Sequence, residues 1–208
     1  GADNWLSGAD AATNIADATN GVTVTINPKI SSATYNAATG TLVVTGTNIQ
    51  ANGGGADIDA SMLTLTGEGG ATYTLTNTAD VERDSVNQFT LTLSATDKAA
   101  LNQIMNKDGT TSTGTTTYNV AAADNWDTNV TAGDTSDTTG NGVTVSNVAA
   151  PAITSATYDY NTTVLTVTGT NFVNESGASN DVDIGRKRTR PNSSHITTPD
   201  AVLCSKNK

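Results

Sequence analysis

Ile30-Ser31-Ser32-Ala33-Thr34-Tyr35, followed by Leu42-Val43-Val44-Thr45-Gly46-Thr47-Asn48, decides how this chain is read, because its pattern occurs twice. Ser32-Ala33-Thr34-Tyr35 returns as Ser155-Ala156-Thr157-Tyr158, and Thr45-Gly46-Thr47-Asn48 returns as Thr168-Gly169-Thr170-Asn171. Both pairs are offset by 123 positions. Further out, Ala2-Asp3-Asn4-Trp5 returns as Ala123-Asp124-Asn125-Trp126, and Asn20-Gly21-Val22-Thr23-Val24 returns as Asn141-Gly142-Val143-Thr144-Val145, both offset by 121. The order of the four matches is kept, which chance does not produce. The period is about 120 residues, the size of one β-sandwich domain.

The 208 residues are cut out of phase with that period. Residues 1–27 read as the C-terminal end of a preceding repeat, and 28–148 as one complete β-sandwich repeat. Residues 149–185 read as the start of a following repeat, and 186–208 as a discordant basic tail, foreign or disordered. The chain starts at Gly1 rather than Met and shows no signal peptide, so it is expected to be a piece of a longer protein.

Within the repeat, apolar and hydroxyl residues alternate with period two, the signature of strands packed on one face and wet on the other. Val22, Val24 and Ile26 alternate with threonines, as do Leu63 with Leu65, Tyr73 with Leu75, and Phe89 with Leu91 and Leu93. Leu42 and Val44 recur as Leu165 and Val167. Asn20-Gly21, Asn52-Gly53 and Asn141-Gly142 are read as turns. One helix is expected over roughly 97–106, with Thr96 as N-cap and Ser94 as the alternative. Leu101, Ile104 and Met105 form its apolar stripe, and Gly109 is read as its stop. No chemistry is read on it.

Composition narrows the function. Through Gly185 there are 19 acidic residues against four basic ones, Lys29, Arg83, Lys98 and Lys107. A net charge of −10 repels nucleic acid and anionic membrane and attracts divalent cations. A single cysteine, Cys204, rules out an internal disulfide. No apolar run is long enough for a transmembrane helix, so membrane insertion is not expected. The tail holds six basic residues, the only His (His195) and Cys204, with nothing to mark a catalytic pair. No enzyme activity is expected.

The segment Ile153 to Tyr158, followed by Leu165 to Phe172, resembles the start of an IPT/TIG-type immunoglobulin-like domain. The whole unit, with Leu63 to Gly70 and Ser94 to Ala100, is similar to tandem modules of giant bacterial surface and RTX-like secreted adhesins. The resemblance covers residues 1–185. It implies an all-β fold: immunoglobulin-like antiparallel β-sandwiches in tandem repeats, here with one short helix per repeat. It also implies an extracellular or cell-surface stalk, adhesin or matrix role, with calcium as stiffener and neighbouring repeats as partners.

The candidate calcium ligands are two acidic sets. Asp57 and Asp59, repeated as Asp181 and Asp183, lie two apart, so at strand spacing each pair points to one face. Asp124, Asp127, Asp134 and Asp137 form the second set, near a junction between units, matched by Asp3, Asp10 and Asp17. The competing reading of both sets is simple solvation. Neither has EF-hand or nonapeptide spacing. Trp5 and Trp126 are read as packing anchors, with a sugar-stacking platform as the rival. That rival leads to an alternative function, a carbohydrate-binding module. A further alternative is a filament subunit that joins to itself head to tail through its half-repeats.

Overall fold

A computed structural model describes residues 27–51, 53–130 and 133–173. The Val22–Ile26 alternation, the Asn20-Gly21 turn, Asn52, Trp5, Asp3, Asp10, Asp17, Asp181, Asp183 and the tail from 186 lie outside the described residues. The described chain is predominantly β, with one α-helix.

Eight strands form one sheet: β1 (Lys29–Asn36), β2 (Thr41–Thr47), β3 (Leu63–Thr66), β4 (Thr72–Thr74), β5 (Arg83–Ser85), β6 (Gln88–Thr92), β7 (Asn119–Ala122) and β8 (Gly142–Ser146). Their order is β4-β3-β7-β8-β1-β2-β6-β5. A separate hairpin, β9 (Ala152–Asp159) and β10 (Val164–Thr170), follows. All pairings are antiparallel except one. β1 and β8 run parallel, with Ala33 opposite Val143 and Tyr35 opposite Val145. This corrects the expectation of a purely antiparallel sheet. These two strands stand at opposite ends of the unit in sequence, so the chain between them is ample for a parallel connection.

The alternation placed most of the core: Leu42, Val44, Leu63, Leu65, Leu75, Phe89, Leu91 and Leu93 are buried, while the intervening threonines face outward or lie partly covered. Tyr73 and Leu165 are only partly covered and Val167 is exposed, whereas Tyr35, Val120 and Val143 complete the buried set. In β1 a bulge between Ile30 and Ser32 adds one residue, so Ile30 and Ala33 both face inward across it.

The sheet is curled. β7 and β6 stand four places apart in the order, about 19 Å in a flat sheet at the usual strand spacing. Yet Phe89 of β6 and Trp126, just beyond β7, have ring centroids 5.9 Å apart. The inner faces of the two halves therefore meet across one core. Trp126 is fully buried, and its indole N–H donates to the Thr135 carbonyl at 2.9 Å. That is the packing anchor, and a buried ring offers no face to a sugar.

The helix, α1 (Ala95–Ile104), covers one end of this core. Leu101 and Met105 are buried and Ile104 packs beside them. Ser94, not Thr96, is the N-cap, accepting the Asp97 N–H at 3.1 Å. Gly109 does not stop the helix, which ends at a Met105 cap. Instead Gly109, at φ +110°, exchanges two backbone hydrogen bonds with Val145. Asn141-Gly142 is likewise not a turn. Asn141 is buried, and its side-chain amide donates to the Asp137 carboxylate and carbonyl, which draws it into the start of β8. Among the described residues no helix is long and apolar enough to cross a membrane.

Candidate functional site

The described acidic residues singled out in sequence go to four different places. Asp57 and Asp59 do not act as a pair. The chain breaks into a 3-10 turn at Ala60–Met62, and Asp59 caps it, accepting the Ser61 N–H at 2.9 Å and its hydroxyl at 2.6 Å. Asp57, one bridge residue away, is fully buried. Its carboxylate accepts the Arg83 N–H at 3.1 Å and the Asn129 amide at 2.8 Å. Strand spacing put both carboxylates on one face, and the turn after Asp59 undoes that.

The second set also divides. Asp124 accepts from Thr135 N and Oγ1 and from Asn125 N, which holds its carboxyl below the usual range. Asp134 caps Ser136 and is lowered by that hydroxyl and N–H. Asp137 reaches back to the start of the unit, where its Oδ2 accepts the Ile30 N–H at 3.0 Å. Asp127 goes elsewhere again. It is buried, with Oδ2 accepting Gln50 N–H at 2.8 Å and Oδ1 accepting Asn129 N–H at 3.1 Å.

Two residues from different sets thus meet at one point. Asp57 and Asp127, seventy positions apart, are bridged by Asn129, whose backbone serves one and whose side chain serves the other. Burial raises Asp127, and the nearby Asp57 charge raises it further, while Arg83 offsets this in part. Glu82 joins them. Desolvation and a hydrogen bond to Asp57 raise its carboxyl above the ordinary value. Asn129 Oδ1 is buried there without a hydrogen-bond partner. The Arg83 guanidinium bonds the Ile49 carbonyl instead of a carboxylate. The site therefore concentrates negative charge and one spare acceptor. No group of three or more His, Cys, Asp or Glu side chains close enough to hold a metal ion occurs among the described residues.

The most heavily bonded acid was missed in sequence. Asp97, in the first turn of α1, is fully buried and accepts five hydrogen bonds. They come from Tyr73 OH (2.8 Å), Thr76 N (3.2 Å), Thr76 Oγ1 (3.1 Å), Asn77 N (3.0 Å) and Thr78 Oγ1 (2.6 Å). Burial alone would raise it, but these donors outweigh burial and hold it far below the usual carboxylate range. The signal available was an acid at a helix start beside a Thr-rich loop. Spacing alone does not reveal that the loop wraps onto it. Its chemistry is that of a fastener: the loop 76–78 is tied to α1 through one carboxylate.

The acids described above are thus met by backbone, amide or hydroxyl donors. No family model, curated protein or solved structure matches this chain.

Proposed function

We propose that the chain is a structural repeat module, a spacer or stalk segment of a large extracellular bacterial protein, built from immunoglobulin-like β-sandwich units. The observation that carries this reading is the second hairpin. β9–β10 has the register of β1–β2 residue for residue, 123 positions on, including the bulge. Ile30 opposite Gly46 becomes Ile153 opposite Gly169, and Tyr35 opposite Leu42 becomes Tyr158 opposite Leu165. The details follow. Ser31 Oγ donates to Thr45 O at 3.1 Å, and Thr154 Oγ1 to Thr168 O at 3.0 Å. Asn48 and Asn171 both stand at φ +58°. At Gly46 and Gly169 a Cβ would collide with the carbonyl oxygen of Lys29 and Ala152 respectively, so both copies need glycine where the strands cross closest. Repetition at this level suits length and stiffness rather than a unique reactive site.

The curled sheet, with inner faces meeting across Trp126 and Phe89, supports the sandwich description. Calcium remains part of the proposal at Asp57 and Asp127, two buried carboxylates bridged by Asn129, whose spare Oδ1 would offer a hard cation a further oxygen. Limited proteolysis tests the module: a resistant core near 28–148 is expected, and even degradation across it would remove the reading. Calorimetry with calcium against chelator tests the ion, with a rise in melting temperature expected. An unchanged transition would leave a purely structural acid cluster.

A further inference from the structure

The strands that cover β1–β2 say what β9–β10 lacks. β1 is flanked by β2 on one side and by β8 on the other. β8 is Gly142-Val143-Thr144-Val145-Ser146, which lies parallel to β1 with Val143 and Val145 turned inward. Among the described residues β9 pairs on one side, with β10. The inward face of the second hairpin is open: Ile153 is 70% exposed, Tyr158 52% and Phe172 45%, where Ile30, Tyr35 and Ile49 are 4%, 0% and 0%. The sequence of the missing strand is present once more in the chain. Asn20-Gly21-Val22-Thr23-Val24 repeats Asn141-Gly142-Val143-Thr144-Val145.

We propose that Gly21–Thr25 of a second copy of this chain adds to the free edge of β9 as a parallel strand, in the register β8 takes on β1. The proposal rests on the repeat reading above. Carrying the β1–β8 register over sets Val22 opposite Ala156, Thr23 opposite Thr157 and Val24 opposite Tyr158. Val22 and Val24 then cover the apolar face, and the β9 backbone groups gain partners. The donor is another molecule because of how the chain runs. β1 and β8 are parallel, so the polypeptide enters the unit at the Lys29 end and leaves it at the opposite, Ser146 end. Gly21–Thr25 leads into β1 through only Ile26 to Pro28, whereas β9 follows β8 after Asn147 to Pro151. The donor segment is therefore joined to one end of the unit and the acceptor hairpin to the other, the connectivity of a heterologous contact that propagates head to tail instead of closing. Within one chain the same pairing would need the hairpin to fold back along its own unit.

The test uses full-length chains carrying Cys204→Ser, so that the native thiol is absent. Thr23→Cys is placed in one chain and Thr157→Cys in another. Their counterparts Thr144 and Thr34 face each other on the exposed side of the β8–β1 pair, so neither change disturbs a core. Mixing the two under mild oxidation should give a mixed disulfide dimer in large excess over either homodimer. The unsubstituted chain should show a scattering mass that rises with concentration, and Val24→Lys should hold it at the monomer. No mixed dimer, or a strict monomer at every concentration, overturns the proposal. A chain carrying both cysteines that closes on itself as a monomer overturns it in favour of intrachain pairing. Limited proteolysis of each variant separates the two levels. A resistant 28–148 core without cross-linking sinks only the strand exchange, while loss of that core sinks the module reading itself.

Discussion

β1–β2 and β9–β10 are the same hairpin in two surroundings. Register, bulge, left-handed asparagine and turn bonds agree between them. What differs is company. The first is flanked by β8 and β6 and closed over by Trp126 and α1, while the second stands as a two-stranded sheet. Hairpin geometry is therefore a local property of this sequence, set by the bulge, the close glycine and the turn. Burial is not local. It is supplied by strands that lie up to about a hundred residues away in the chain, and such non-local pairing carries most of the stability.

The largest expected difference follows from that. Tyr35 is fully buried, and its hydroxyl donates to Asn102 Oδ1 on α1 at 2.8 Å. Tyr35→Ala should cost about 4 kcal/mol in urea unfolding, through cavity formation and the lost hydrogen bond. Tyr158→Ala, at the matching position, should stay within about 0.5 kcal/mol in dilute monomer. Equal losses at the two sites would mean that the second hairpin is already packed in the monomer, and the comparison would fail.

Next comes the fastener that the second hairpin lacks. Asp97→Ala strips the buried acceptor from Tyr73, Thr76, Asn77 and Thr78 and should cost about 3 kcal/mol. Hydrogen exchange should loosen α1 and residues 72–78 while leaving β9–β10 unchanged. Folding lowers the Asp97 pKa, so its stabilisation is present above the ordinary carboxylate value of about 3.9 and is lost as pH falls below it. In Asp97→Asn the acid limb of the pH–stability curve should flatten.

Much of this was legible in the sequence and some was not, for a physical reason that particular residues show. Leu42, Val44, Leu63, Leu65, Phe89 and Leu91 were placed inside by alternation alone, because side-chain direction along a strand is fixed by its neighbours. The repeat pointed to two strands in the second copy, and their register matches that of the first. The parallel β1–β8 contact, the meeting of Asp57 with Asp127 and the wrapping of 76–78 onto Asp97 had no local signal. Each depends on which distant segment arrives, and spacing carries no information on that. The acids were read as calcium ligands or as solvated carboxylates from spacing alone; which backbone donors reach them is set by the fold.

The acid cluster gives a smaller effect of opposite sign. Folding raises Glu82 and Asp127, so their contribution favours the folded state at low pH and is lost as pH climbs through their raised values. Glu82→Gln removes one of the crowded charges beside Asp57. It should raise the melting temperature at pH 7, with the gain fading towards pH about 4, where the unfolded carboxylate also protonates. A loss of stability at pH 7 would show that Glu82 is held by a cation instead of repelled by its neighbours.

The finest difference lies in the turns. Gly40 takes φ +77° between β1 and β2, and Thr163 takes φ +56° at the matching place between β9 and β10. A β-branched residue in the left-handed region is strained, whereas glycine is not. Thr163→Gly should therefore tighten the second hairpin by about 1 kcal/mol, read as roughly fivefold slower exchange of the β9–β10 amides. The reverse change is not its mirror image. Lys98 of α1 lies over the first turn, with Nζ donating to the Ala38 carbonyl and Cδ 3.0 Å from where a Gly40 Cβ would sit. Gly40→Thr must both adopt the strained φ and displace Lys98, so it should cost more than Thr163→Gly gains. Equal and opposite effects would mean that the helix contributes nothing to the first turn, and the two hairpins would then differ only in their strands.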